Sequence, residues 1–120
     1  MTKNYRDITH SVSTSLKQLR GDQPELMKGF GALADAALGE GALSKKTKEL
    51  IALCLGVAGH CDACIGFHFK ALVRLAATRA EIEEALGVAV YMGGGPALMY
   101  AADALSAFEQ MSVPTAGVTA

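Results

Sequence analysis

Nine consecutive residues, His60-Cys61-Asp62-Ala63-Cys64-Ile65-Gly66-Phe67-His68, hold two of the chain's three cysteines and two of its three histidines. Side chains of these types at this spacing admit three readings: a dithiol that cycles between reduced and oxidised forms, a metal site, or cysteines that only pack in a core. If a helix starts at Cys61, its unpaired N–H groups and its dipole favour a thiolate there. Cys64, one turn further on, is within reach of a disulfide with Cys61. At about 100° per residue, Cys61, Cys64 and His68 fall within about 60° of arc and share one helix face.

Cys64 and His68 are four residues apart, so the imidazole can serve Cys64 as a base or ion-pair partner, which favours Cys64 as the attacking thiol. The place of Cys61 at the helix start favours the reverse order. On the residues alone both orders stay open. Glu49 is the other residue out of place. It opens the run Glu49-Leu50-Ile51-Ala52-Leu53-Cys54-Leu55, apolar on every side, and a partly desolvated carboxylate suits proton transfer. If its helix and the cysteine helix fold back as a hairpin, Glu49 lies about 15 Å from the tip and His68 about 10 Å, at 1.5 Å per residue. That leaves one helical turn for side chains or a water to span. Cys54 reads as a buried small hydrophobe, His10 as a solvated residue, and His60, next to Gly59, as a turn residue.

The elements that must position these groups are all helical. Ala, Leu, Glu, Lys and Met dominate, and alternating β-branched runs are absent. Helices are predicted over residues 5–20, 24–38 with Pro24 in the first turn, 45–58 after a Ser44 cap, and 61–76. Thr78-Arg79-Ala80-Glu81 is a capping box opening a fifth helix. Gly93-Gly94-Gly95-Pro96 ends it and opens a sixth. The three glycines are a helix stop rather than a phosphate loop, because no strand precedes them and no Lys-Ser/Thr follows.

At 120 residues the chain has room for one domain. Its formal net charge of -1 and lack of a basic run remove the footprint that nucleic acid requires. The first residues, MTKNYRDITHSVSTS, hold no apolar run of the signal-peptide kind. The longest apolar stretch, residues 50–59, is about half of a membrane-spanning helix. The expectation is a cytoplasmic protein without a membrane partner, a compartment in which a close cysteine pair reads as catalytic or metal-binding. The composition, 51% hydrophobic and 19% charged, is more apolar than a small domain can hide. The third helix has no polar face after Glu49, and the sixth offers only Asp103 to water, so homo-oligomerisation is expected.

The order Glu49, eleven residues, Cys61-Asp62-Ala63-Cys64, three residues, His68, with the segments KELIAL and GGGPALMYAADAL, resembles the signature of the AhpD-like alkylhydroperoxidases within the carboxymuconolactone decarboxylase family. The resemblance covers about residues 20–110. It implies an all-α fold: a single-domain, six-helix AhpD-like bundle with the CxxC at the N-terminus of the fourth helix and with residues 1–8 and 112–120 flexible. It also implies an antioxidant dithiol peroxidase that needs no cofactor or metal, in which Cys64 attacks the hydroperoxide, Cys61 resolves, and Glu49 and His68 relay protons. Better-known members carry a histidine directly before the second cysteine. This chain has Ala63 there, and His60 is the candidate for the vacant relay place. The implied partners are a hydroperoxide substrate, a dithiol or lipoyl-protein electron donor, and further copies of the chain, as a hexamer built from a trimer of dimers or as a plain trimer.

Three other functions compete. A zinc site would use Cys61, Cys64, His68 and His60, although closed zinc sites usually draw ligands from two separated elements. The lactone decarboxylation for which the wider family is named needs no dithiol. A helical interaction module explains neither the cysteines nor Glu49.

Overall fold

The structure, a computed structural model, describes residues 3–114. These form five helices: α1 Tyr5–Asp22, α2 Pro24–Leu38, α3 Lys45–Ala58, α4 Asp62–Arg74 and α5 Arg79–Ser112. No strand occurs among the described residues. Side-chain caps set the starts. The Asn4, Ser44 and Thr78 side chains accept from the N–H groups of Asp7, Thr47 and Glu81, and Thr78 with Glu81 completes the capping box. Pro24 occupies the first turn of α2.

The expected boundary between a fifth and a sixth helix falls at Gly94, whose φ of 72° and ψ of -155° lie outside the helical region; two helical segments meet there at a kink with no loop between them, and α5 denotes both. Glycine alone adopts that conformation without a Cβ clash. Pro96, with no N–H to donate, fits just past the kink. α5 is long and apolar enough to cross a bilayer by length and composition alone, but the kink interrupts it and one of its faces builds the core.

α3 packs on both α4 and α5, and α4 is covered on another side by α1. Leu53 and Val57 of α3 meet Ile65, Phe69 and Leu72 of α4 and Ile82 and Leu86 of α5, all buried. Their i, i+4 and i, i+7 spacings are those of a helical stripe. Beyond the kink, Ala101, Ala104 and Ala107 let α5 approach closely. α2 differs from the rest, because it buries none of its residues and exposes Leu26, Phe30 and Leu33.

The turns from α3 to α4 and from α4 to α5 each use a left-handed residue that is not glycine. Cys61 N–H donates to Gly56 O past His60 (φ 55°), and Ala77 N–H donates to Leu72 O past Ala76 (φ 58°). This is the C-terminal closure that glycine usually makes.

Within the stretch 1–8, expected to be flexible, residues 3–8 carry contacts to α5. Tyr5 is fully buried, and its hydroxyl donates to Asp103 at 2.9 Å. Its N–H donates to Gln110 Oε1, while Gln110 Nε2 donates to the carbonyl of Lys3. Residues 1–2 lie outside the described part, as do residues 115–120 of the expected frayed tail; Ser112 closes α5.

Where α1 crosses α4, Gly66 is the contact. A Cβ there would stand 2.5 Å from Thr9 Cγ2, on a buried, β-branched side chain with little freedom to move. Gly66→Ala is therefore expected to lower stability by about 1 kcal/mol net, overpacking outweighing the helix-propensity gain. Urea unfolding checks this.

Candidate functional site

Cys61 is the N-cap of α4, and its Sγ accepts the N–H of Cys64 at 3.2 Å. The two cysteines are joined in a disulfide, with Cα atoms 5.3 Å apart. The pair thus sits where the helix dipole and free N–H groups stabilise a sulfur anion released on reduction. Both cysteines are half-buried. Cys64 packs on α3 at Gly56, where a Cβ would come within 3.2 Å of its own Cβ, so that glycine lets the two helices close over the sulfur.

Glu49 and His68 meet directly. His68 Nδ1 lies 2.6 Å from Glu49 Oε1, a hydrogen bond whose donor is set by the histidine tautomer. The reach of the two side chains spans the helical turn that separates them along the hairpin, without an intervening water. Glu49 is 3% exposed, whereas the His68 side chain keeps 26% of its surface. A sealed carboxylate is thereby coupled to a group that solvent can reach.

His60 does not join this pair. Its left-handed backbone lays the ring flat on Tyr100, with centroids 4.3 Å apart and 5° between the planes. The ligand set Cys61, Cys64, His68 and His60 is therefore not assembled, and among the described residues no group of three or more His, Cys, Asp or Glu side chains is disposed to hold a metal ion. Cys54 lies on α3, where its thiol donates to Ala85 O at 3.2 Å and burial pushes its pKa up, as befits an unreactive thiol.

A charged cluster beside the cysteines escaped the sequence reading. Lys3 Nζ lies 2.9 Å from Asp62 Oδ1 and 3.0 Å from Asp103 Oδ2, and 4.8 Å from the centroid of the Tyr100 ring. Asp103 is thus not offered freely to water, because Lys3 and Tyr5 share it. The hydrogen bonds to Asp62 and then Asp103 hold the Lys3 ammonium charged well above the usual lysine range. Burial, followed by the bond to Asp103, pushes the Tyr5 hydroxyl up. Asp62, inside the C-x-x-C and on the first turn of α4, was the one signal for this cluster in the sequence.

The site is thus a helical domain's C-x-x-C at a helix start with a Glu–His pair behind it, and comparison with known proteins gives the family. Residues 24–107 match the model of the Carboxymuconolactone decarboxylase family, and the chain belongs to that family. A crystal structure of an apo carboxymuconolactone decarboxylase family protein from Legionella pneumophila superposes with a TM-score of 0.90 at 59% identity, covering 91% of this chain and 97% of that one. An uncharacterized protein of Cupriavidus necator is 36% identical over 93% of this chain and 99% of its own length. An uncharacterized protein from the cox locus of Paracoccus denitrificans is 38% identical over 68% of this chain and 74% of its own.

Removing the imidazole would leave a buried carboxylate without a partner. His68→Ala is expected to lower the unfolding free energy by about 2 kcal/mol, and adding Glu49→Met should recover part of it. Urea midpoints of the wild type, the single variant and the double variant check this.

Proposed function

We propose that the protein is a dithiol-dependent alkyl hydroperoxide reductase, an antioxidant enzyme of the cytoplasm. The observation that carries this reading is the Glu49–His68 hydrogen bond on the helix that starts with the disulfide. A structural disulfide needs no proton carrier beside it, whereas a peroxidatic thiol must lose a proton and the departing alkoxide must gain one. In the reduced protein Cys64 attacks the peroxide: Cys64–SH and ROOH give Cys64–SOH and ROH. Cys61–SH then condenses with the sulfenic acid, forming the Cys61–Cys64 disulfide and releasing water. A dithiol donor, a lipoyl group among the candidates, returns two electrons and two protons by thiol–disulfide exchange and leaves as its own disulfide. Glu49 and His68 pass the proton between the sulfur and the departing oxygen.

The cysteine order follows from His68 standing one turn beyond Cys64. His60, held on Tyr100, shapes the turn before Cys61 and takes no part in the relay. The decarboxylation for which the family is named makes no use of the disulfide, and nothing in the site favours it.

The working form is an assembly of identical subunits, a hexamer before a trimer. α2 exposes Leu26, Phe30 and Leu33, α3 exposes Ile51 and Leu55, and α5 exposes Val88, Tyr91, Met92 and Met99. Apolar rows of this extent are the mark of subunit contacts.

Stopped-flow mixing of the reduced protein with hydrogen peroxide and an alkyl hydroperoxide tests the chemistry. Cys64→Ser is expected to abolish turnover, and Cys61→Ser to allow one oxidation, trapped as a sulfenic acid on Cys64. Glu49→Gln should slow thiol oxidation at least tenfold near neutral pH. A Cys64→Ser protein that still turns over would reject the order of attack, and oxidised protein without a Cys61–Cys64 linkage by mass spectrometry would reject the mechanism. Light scattering at micromolar concentration should return a multiple of the 12.5 kDa chain mass.

A further inference from the structure

Lys3 is fixed with unusual care for a residue so near a terminus. The Gln110 side chain grips the chain on both sides of Asn4, donating to Lys3 O and accepting from Tyr5 N–H. The Arg6 guanidinium donates to the carbonyls of Gln110 and Val113, and Tyr5 is sealed in the core. These anchors deliver one ammonium to the start of α4. There it spans Asp62, which follows Cys61 directly, and Asp103 of α5. Nothing in the packing of the core requires a charge at this place.

We infer that Lys3 is a positioning residue of the redox centre: by holding Asp62 and Asp103 in ion pairs it offsets the negative charge beside Cys61, and so stabilises the reduced, thiolate-bearing form. This rests on the reading of Cys61 and Cys64 as a redox pair. Reduction by glutathione consumes two glutathione thiols and yields one glutathione disulfide, the two electrons and two protons going to Cys61 and Cys64. Near neutral pH, part of the product is thiolate and has released a proton. An uncompensated carboxylate on the first turn of α4 repels that thiolate, whereas the disulfide carries no charge to repel. Losing Lys3 therefore favours the disulfide, and losing Asp62 favours the reduced form.

Among the described residues, the titratable and charged groups around the cysteines are these. His60 and Asp62 flank Cys61 in sequence, Lys3 and Tyr5 approach from the N-terminal segment, and Asp103 and Tyr100 from α5. Further along lie His68 on α4 and Glu49 on α3. Among these, Lys3 is the cation whose charge does not depend on pH near neutrality.

Equilibration of the full-length protein with glutathione redox buffers at pH 7 measures the effect, and iodoacetamide alkylation of the reduced protein against pH measures the thiolate. Lys3→Met is expected to lower the equilibrium constant for reduction about three- to tenfold, the range for a partly solvated charge one residue away. A tenfold change corresponds to about 30 mV. The alkylation profile should move to higher pH. Lys3→Arg should retain the wild-type values, Asp62→Asn alone should move both readouts the other way, and Lys3→Met with Asp62→Asn should return toward wild type. If circular dichroism shows Lys3→Met unfolded, Asp62→Asn decides the matter through its alkylation profile, which should move to lower pH, whereas loss of the helix start would move it to higher pH. Wild-type protein that titrates while Lys3→Met and Asp62→Asn match it would overturn the role of Lys3. Wild-type protein whose cysteines do not exchange with glutathione at all would instead overturn the redox reading itself.

Discussion

The contact between Glu49 and His68 is the constraint on which the site depends. A carboxylate that is almost sealed from water must find a partner, and in this fold the partner comes from the neighbouring helix. Sliding α4 by a single residue would swing His68 through about 100° and shift it about 1.5 Å, enough to break the bond. Register between α3 and α4 is thus set by a polar pair, and the apolar surfaces of Leu53, Val57, Ile65 and Phe69 fill in around it. The cysteines inherit their positions from that register. Cys64 falls against Gly56, and Cys61 falls at the helix start, where the backbone favours a sulfur anion.

The turn between the two helices is held from outside. His60 adopts a backbone conformation that suits glycine better, a cost on the order of 1 kcal/mol, and its ring lies flat on Tyr100. Tyr100 in turn has the Lys3 ammonium near its ring, and Lys3 reaches the two aspartates. A run of contacts therefore leads from the N-terminal segment through α5 to the residue that precedes Cys61. The cysteine pair is framed by the α3 glutamate on one side and by this aromatic and charged run on the other.

The helices, their caps and the placing of the C-x-x-C were legible in the sequence because each has a local cause: Pro24 in a first turn, Ser44 and Thr78 as caps, apolar spacing along α3 and α4. The approach of Glu49 to His68 was legible only to within one helical turn, because Glu49 stands out in an apolar helix and the reach of the two side chains is not encoded in the spacing. The break inside the glycine run was legible too, but not its form: only Gly94 leaves the helical region, and the two helical segments meet there with no loop between them. The anchoring of Lys3 and Tyr5 was not legible, because it depends on Asp103 and Gln110 about a hundred positions away, and no local pattern encodes such a meeting. For the same reason Asp103 read as a residue for solvent.

The clasp between the N-terminal segment and α5 also fixes an order of assembly. Its hydrogen bonds join residues separated by 98 to 107 positions, so they close the largest loop in the described fold, and contacts of that kind are the slowest to form. During synthesis the hairpin of α3 and α4, with both cysteines and the Glu49–His68 pair, leaves the ribosome before Asp103 and Gln110 do. The cysteines therefore emerge in a half-built surround, and the ammonium is fixed at their side only when the last helix docks.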